Sequence, residues 1–205
     1  MKTIAIIGYG HVGKNLASLF SKANYQVIIC SDNGESGAQE YTAMGYADGI
    51  QNADAVAIAI PYHVTEHVLA PYAEALNGKI LIDCTNPLNE DWSPMDLGHN
   101  TSGSEQIAQR ITGAKVVKAF NTIFADVMPE ENHDRRGHKI TAFVASDDSS
   151  AKAFVLALVE AIGLSPLDVG PLSCARYLEA MAHLNIQIAV GQQGGTKAAF
   201  VYHQG

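Results

Sequence analysis

The sequence predicts an α/β fold: a Rossmann-like, doubly wound and mostly parallel sheet with helices on both faces, followed by a C-terminal helical tail. Three observations predict it. Short apolar runs alternate with longer amphipathic stretches along the chain. Most of those runs are near-continuously apolar, as strands covered on both sides must be. The first run also passes directly into a glycine-rich turn that opens a helix. The 205 residues suit one domain with a small appendage, and 47% hydrophobic against 17% charged residues is enough to bury a core.

Taken in order, strands are expected over 3–7, 26–31, 55–60, 79–83, 115–119 and 140–145, with 165–168 a further short one. Helices are expected over 11–23, 64–76, 103–111 and 149–162, the last opened by the capping cluster of Asp147, Asp148, Ser149 and Ser150. Two irregular stretches, 84–102 and 120–139, exceed ordinary connections, and long loops in compact domains tend to be functional. These features divide the chain into a dinucleotide-type domain, 1–172, and a tail, 173–205. In the tail Leu178, Met181, Ala182, Asn185, Ile186 and Ala189 share one helical stripe, interrupted by Gly191, Gly194 and Gly195 before a short segment over 196–202. Its small residues Ala175, Ala180, Ala182 and Ala189 suit either a homodimer interface or packing on the chain's own domain.

Charge narrows the partners. Thirteen Lys and Arg face 21 Asp and Glu, a formal net charge of −8, and no basic cluster exists for a nucleic acid. The longest apolar runs fall well short of the roughly 20 residues of a bilayer span. Cys30, Cys84 and Cys174 show no metal-ligand spacing, so reduced thiols, a cytoplasmic location and no metal are expected. The charges are also unevenly spread. Between Lys22 and Lys79 there is no Lys or Arg, while Asp32, Glu35, Glu40, Asp48, Asp54, Glu66 and Glu74 all fall there.

The strongest local signal is Gly8-Tyr9-Gly10-His11-Val12-Gly13 between the first strand and the first helix. In that setting Gly8 permits the tight turn, Gly10 lets the backbone approach a pyrophosphate, and Gly13 lets helix and strand pack closely. The helix N-terminus supplies free N–H groups and a positive dipole end. Asp32 stands 19 positions after Gly13, where a carboxylate typically accepts from the ribose 2′-hydroxyl of NAD. With no cation nearby, Asp32 and Glu35 would repel a 2′-phosphate, so local charge favours NADH, although Ser31, Asn33 and backbone amides could still hold that phosphate.

Several segments recur together in one family: the glycine loop; Ile60-Pro61-Tyr62; Asp83-Cys84-Thr85-Asn86-Pro87-Leu88; Lys118-Ala119-Phe120-Asn121-Thr122-Ile123-Phe124-Ala125; and Asp168-Val169-Gly170-Pro171-Leu172-Ser173 leading to Ala175-Arg176 and Glu179. In this set the chain resembles the NADPH:coenzyme F420 oxidoreductases, hydride-transfer enzymes between a nicotinamide and a 5-deazaflavin. It is similar also to the cytosolic domain of six-transmembrane metalloreductases. The resemblance implies that Gly8–Gly13 with Ser31, Asp32 and Asn33 hold the adenosine diphosphate part of NAD(P)H. Ile60, Pro61, Tyr62, Asn86, Pro87 and Leu88 would flank the ribose and nicotinamide, with Ala119 and His63 beside them. Asn121, Thr122 and Ile123 would wall a flavin or deazaflavin co-substrate, with Asn121 and Thr122 orienting its ring. The family's deazaflavin enzymes carry Ser-Arg after the second strand to read NADP, where this chain has Ser31-Asp32. They carry His-Thr-Ile-Pro where this chain has Asn121-Thr122-Ile123-Phe124.

Hydride transfer needs stacked rings rather than a side-chain acid or base, so no catalytic dyad is expected. His63-Val64-Thr65-Glu66-His67 matches a zinc-peptidase pattern, yet it falls where a dinucleotide fold has its post-strand helix. Two other functions stay open: a dinucleotide-binding sensor without turnover, and a reductase of a small carbonyl or imine. The second is weakened by a tail, 173–190, that contains no Lys to protonate a substrate.

Overall fold

A computed structural model describes residues 1–32, 34, 39–98 and 100–204. Its centre is an eight-stranded sheet in the order β3-β2-β1-β4-β5-β6-β7-β8. The strands are β1 (Thr3–Ile7), β2 (Gln26–Ser31), β3 (Thr42–Gly45), β4 (Ala55–Ile58), β5 (Ile80–Asp83), β6 (Lys115–Lys118), β7 (Thr141–Ser146) and β8 (Ser165–Gly170). All neighbours pair in parallel except β6 with β7. The helices are α1 (His11–Lys22), α2 (Tyr46–Asn52), α3 (Thr65–Leu69), α4 (Gly103–Arg110), α5 (Ser149–Ala161) and α6 (Ala175–Ile186).

Both faces of the sheet are covered, and alternate residues of one strand serve opposite layers. Ile4 and Ile6 of β1 join the layer containing Leu16 and Phe20 of α1 and Val155 and Leu158 of α5. Ala5 and Ile7 join Ile50 of α2, Leu69 of α3 and Ile107 of α4. Two-sided burial is why these strands read as continuous apolar runs, without the alternation of a half-exposed sheet.

The expected elements are present with differences at their ends. The expected helix 64–76 is divided into a 3-10 turn (Tyr62–Val64), α3 and a second 3-10 turn (Ala70–Tyr72). Pro71 explains the break, because it lacks an N–H and its ring collides with the preceding turn. Residues 59 and 60 leave the sheet, since β4 ends at Ile58. The segment before β4 contributes both α2 and an edge strand, β3, which pairs with β2 alone.

The tail begins with a 3-10 turn (Leu172–Cys174), continues as α6 and ends in a π-helical turn (Gln187–Gly191). The sequence suggested helix beyond this point as well. Residues 196–204 instead run without helix across the start of β7, where the Thr141 amide donates to the Phe200 carbonyl at 3.0 Å and the Tyr202 amide to the Thr141 hydroxyl at 2.9 Å. Leu178 packs against Phe143 and Ala145 of β7. Of the small residues offered as a dimer surface, Ala175, Ala182 and Ala189 are buried within the chain itself and Ala180 is exposed, as are the larger Tyr177, Leu184, Ile188 and Val190.

Candidate functional site

Strand register gathers the segments singled out in the sequence. Ile7, Ile58, Asp83 and Lys118 lie side by side across β1, β4, β5 and β6, so the turns that follow them open on one edge of the sheet. Strand order reverses between β1 and β4, and open α/β sheets bind ligands in the crevice at such a reversal.

The glycine loop lies at that crevice. Gly8 adopts φ +100°, and a Cβ there would stand 2.5 Å from the Ala59 carbonyl oxygen. Gly13 packs so tightly that a Cβ would lie 2.1 Å from the Gly8 oxygen. Gly10 is different: the same position has no atom within 4 Å, and its backbone caps α1 without a side-chain hydrogen bond. Two glycines therefore shape the loop and the third leaves its face open. Beyond Gly10 the first-turn amides of α1 have no helical acceptor, and the helix dipole adds attraction for an anion. His11 is exposed and Val12 half-buried. Tyr9 meets the Tyr41 ring edge-on at 6.4 Å, and the Lys14 Nζ stands 5.5 Å from the Tyr9 centroid. Lys14 is a cation beside the loop that sequence reasoning passed over.

Ser31 ends β2 and Asp32 is exposed just beyond it; Asn33 lies outside the described residues. Burial and then the Asp32 carboxylate push the Tyr46 phenol above its ordinary pKa, which places Tyr46 on the same side.

On the opposite flank the expected wall is only partly a surface. Ile60 and Leu88 are half-buried, while Pro61 and His63 are exposed. Tyr62 is buried instead: its hydroxyl donates to Gln106 Oε1 at 2.7 Å, and its ring packs so closely on Gly103 that a Cβ there would be 2.9 Å away. It therefore acts as a strut under Pro87, which crowds the same glycine. Ala119 and Thr122 are enclosed too. Among the described residues no group of three His, Cys, Asp or Glu side chains could hold a metal ion, and His63 and His67 stand exposed.

Asn86 and Asn121 clasp each other across the two turns. Asn86 Nδ2 donates to the Asn121 carbonyl at 2.8 Å, and Asn121 Nδ2 donates to Asn86 Oδ1 at 2.9 Å and to the Leu178 carbonyl of α6 at 3.0 Å. Phe120 between them holds φ +66°, an uncommon conformation for a bulky residue. Strain of this kind concentrates at functional sites. Two polar atoms there, Asn121 Oδ1 and Thr85 Oγ1, are buried without a protein partner.

Beneath the turns lies a charged cluster that the sequence reading missed. Lys118 Nζ donates to Asp83 Oδ2 at 2.9 Å, to Glu179 Oε1 at 2.9 Å and to the Thr85 carbonyl at 2.7 Å. Ser104 Oγ donates to Asp83 Oδ2 at 2.5 Å, the Thr85 amide donates to Asp83 Oδ1, and the Gly103 and Ser104 amides donate to Glu179. Burial alone would push the Asp83 carboxyl up, but Lys118, Ser104 and Thr85 together hold it below the ordinary carboxylate value. Burial alone would likewise push Lys118 down, and its two carboxylates outweigh that and keep the ammonium charged. One signal could have revealed the cluster: a charge inside a run expected to be covered on both faces must be paired. Close by, Arg176 of α6 makes a two-pronged contact with Glu105 of α4 at 2.8 and 2.6 Å.

Residues 3–87 match the family model described as NADP oxidoreductase, coenzyme F420-dependent. An F420-dependent NADP reductase from Methanothermobacter thermautotrophicus is 28% identical, with 93% of this chain and 90% of that protein covered. Metalloreductase STEAP3 from Rattus norvegicus is 28% identical over 87% of this chain, and the chain spans 36% of that longer protein. Among solved structures, a candidate F420-dependent NADP-reductase from Arthrobacter sp. FB24 superposes with a TM-score of 0.87 at 26% identity, covering 100% of both chains.

Proposed function

We propose, from the match of residues 3–87 to that family model and the similarity over most of the chain to F420-dependent NADP reductases, that the chain belongs to the same family and transfers a hydride between a nicotinamide dinucleotide and a flavin or 5-deazaflavin. The observation that carries this reading is the alignment of the glycine loop with the Asn86–Asn121 clasp along one sheet edge, where the strand order reverses. The first-turn amides of α1, reached across the open face of Gly10, hold the pyrophosphate. The Asn86-Pro87 and Phe120-Asn121 turns face the nicotinamide end. Two buried polar atoms without a protein partner, Asn121 Oδ1 and Thr85 Oγ1, lie in these same turns, and because such atoms are costly to leave unbonded they support an amide-bearing ligand there. When bound, the dinucleotide itself supplies the carbon that gives or takes the hydride. The protein's part is to orient two rings and exclude water. No proton needs to be moved by a side chain, which agrees with Asp83, Lys118 and Glu179 beneath the turns being already paired with one another.

For the cofactor, the absence of Lys and Arg between Lys22 and Lys79 supports NADH binding at least as tightly as NADPH, with Asp32 repelling a 2′-phosphate. Tyr177, Leu184, Ile188 and Val190 give the outer side of the tail an exposed apolar stripe that supports a homodimer. Incubation with NADH or NADPH and each of FMN, FAD, riboflavin and the deazaflavin tests the reading. Loss of absorbance at the nicotinamide band with at least one pair is expected. Tight binding with no turnover in any pair would instead favour a sensor.

A further inference from the structure

We propose that Lys118 is a positioning residue, holding the Thr85–Pro87 and Phe120–Asn121 turns in the one arrangement that receives the nicotinamide end. The proposal rests on the reading of those turns as the nicotinamide wall.

The side chain cannot itself meet a ligand, because Lys118 is 0% exposed. Each of its three N–H bonds has one acceptor, and the three acceptors come from three places: Asp83 at the end of β5, the Thr85 carbonyl in the turn beyond it, and Glu179 in the middle of α6. Three donors directed at three fixed acceptors leave the ammonium no alternative placement. The carboxylates extend the same constraint. Asp83 binds the Thr85 amide and the Ser104 hydroxyl, and Glu179 binds the first two amides of α4. The cluster thus locks two strand ends, the start of α4 and α6 together.

Two features show that the lock bears on the turns above it. The Thr85 main chain is gripped from both sides, with its amide on Asp83 and its carbonyl on Lys118, and the next residue is Asn86 of the clasp. Two residues beyond Lys118, Phe120 is held at φ +66°, and Asn121 then reaches both Asn86 and α6. A strained backbone persists only where its surroundings over-determine it, and Lys118 with Asn121 supplies that determination from either side. Stability alone is a poor explanation for the cluster. One ammonium with two carboxylates leaves a net negative charge in the interior, and well-packed apolar residues commonly serve a core as well or better than buried ions.

The test uses the full chain with Lys118→Met and, because that variant leaves two carboxylates facing each other, also Glu179→Gln and the double variant Lys118→Met/Glu179→Gln. The double variant restores the buried net charge of the original cluster. Two probes are titrated by calorimetry: NADH, and ADP-ribose, which is the same molecule without its nicotinamide. Each folded variant is expected to bind ADP-ribose within about twofold of wild type. Each is also expected to lose the extra affinity conferred by nicotinamide and to lower kcat with the best acceptor by on the order of tenfold to a hundredfold, the scale of an ångström misplacement. Reduced thermal stability with unchanged NADH affinity and kcat would overturn the proposal, leaving the cluster a core ion network only. Equal losses for both probes would overturn it as well, since the effect would then not be confined to the nicotinamide end. If wild-type protein binds NADH no more tightly than ADP-ribose, the underlying reading of the turns fails, and that outcome is visible before any variant is made.

Discussion

Alanine substitution at the three loop glycines should separate folding from binding, because the structure gives each one a different neighbour. At Gly13 the new methyl would lie 2.1 Å from the Gly8 carbonyl oxygen. Loop and helix must part by roughly 1 Å, and overpacking of this sort costs about 1–3 kcal/mol. At Gly8 the methyl meets the Ala59 oxygen at 2.5 Å and also imposes φ +100° on a residue with a side chain. That conformation adds about 1–2 kcal/mol to the steric cost. At Gly10 the methyl meets nothing within 4 Å, and φ −75° with ψ −163° is open to any residue. Gly10→Ala should therefore stay within about 1 kcal/mol of wild type in urea unfolding, the residue of cost coming from a poorer helix cap. Its methyl nevertheless fills the face through which a pyrophosphate would reach the α1 amides, so NADH affinity should fall at least about tenfold, or 1.4 kcal/mol. Unfolding curves and NADH titrations of the three variants decide the matter. A Gly10→Ala protein that binds NADH like wild type would refute the placement of the phosphates, and one less stable than Gly13→Ala would refute the packing argument.

Other expectations follow from the same geometry. Asp32→Arg should move preference towards NADPH by about tenfold or more, by removing a repelling carboxylate and adding a cation; a wild-type Kd already far lower for NADPH would contradict the charge argument. Tyr177→Glu with Ile188→Glu should yield monomers by sedimentation with the thermal midpoint little changed, and a wild-type protein that is already monomeric removes the dimer reading. Asp148 caps α5, and the Ser150 hydroxyl, the Ala151 amide and Lys115 bring its pKa from 3.8 to about 2. A carboxyl lowered in the folded state stabilises above its unfolded value and ceases to as pH falls through the folded one. The advantage of wild type over Asp148→Ala in urea should therefore be full near neutrality and fade between pH 3.8 and about 2; a gap that does not narrow there would show that the cap acts through something other than its charge.

Most of the sheet was legible because strands covered on both faces announce themselves as apolar runs, and because the glycine loop fixes which run comes first. The edge strand β3 was not, since Thr42-Ala43-Met44-Gly45 is short, pairs on one side only and shows neither alternation nor a run. Long-range contacts account for the misreadings at the site. Tyr62 was expected to line the cleft, but Gly103 makes room for its ring and Gln106 takes its hydroxyl, both some forty residues further on. The stripe of Leu178, Ala182, Asn185 and Ile186 was recognised correctly as one helical face, yet only the fold shows that this face turns inward and that Tyr177 and Leu184 lie outside. Asp83 and Lys118 each stood in plain view at the end of an apolar run. Their pairing depends on the register of β5 against β6, which no local pattern encodes.

The central claim is direct hydride transfer from nicotinamide to a flavin-type ring at this sheet edge, and an isotope label tests it most directly. NADH or NADPH deuterated at the transferring position of nicotinamide C4 is incubated with the protein and the 5-deazaflavin, whose ring carbon keeps a received hydride. Mass spectrometry is then applied to the reduced acceptor. Deuterium retained in the reduced deazaflavin is the predicted result. Reduced deazaflavin without deuterium, or no reduction while the dinucleotide is demonstrably bound, would contradict the account.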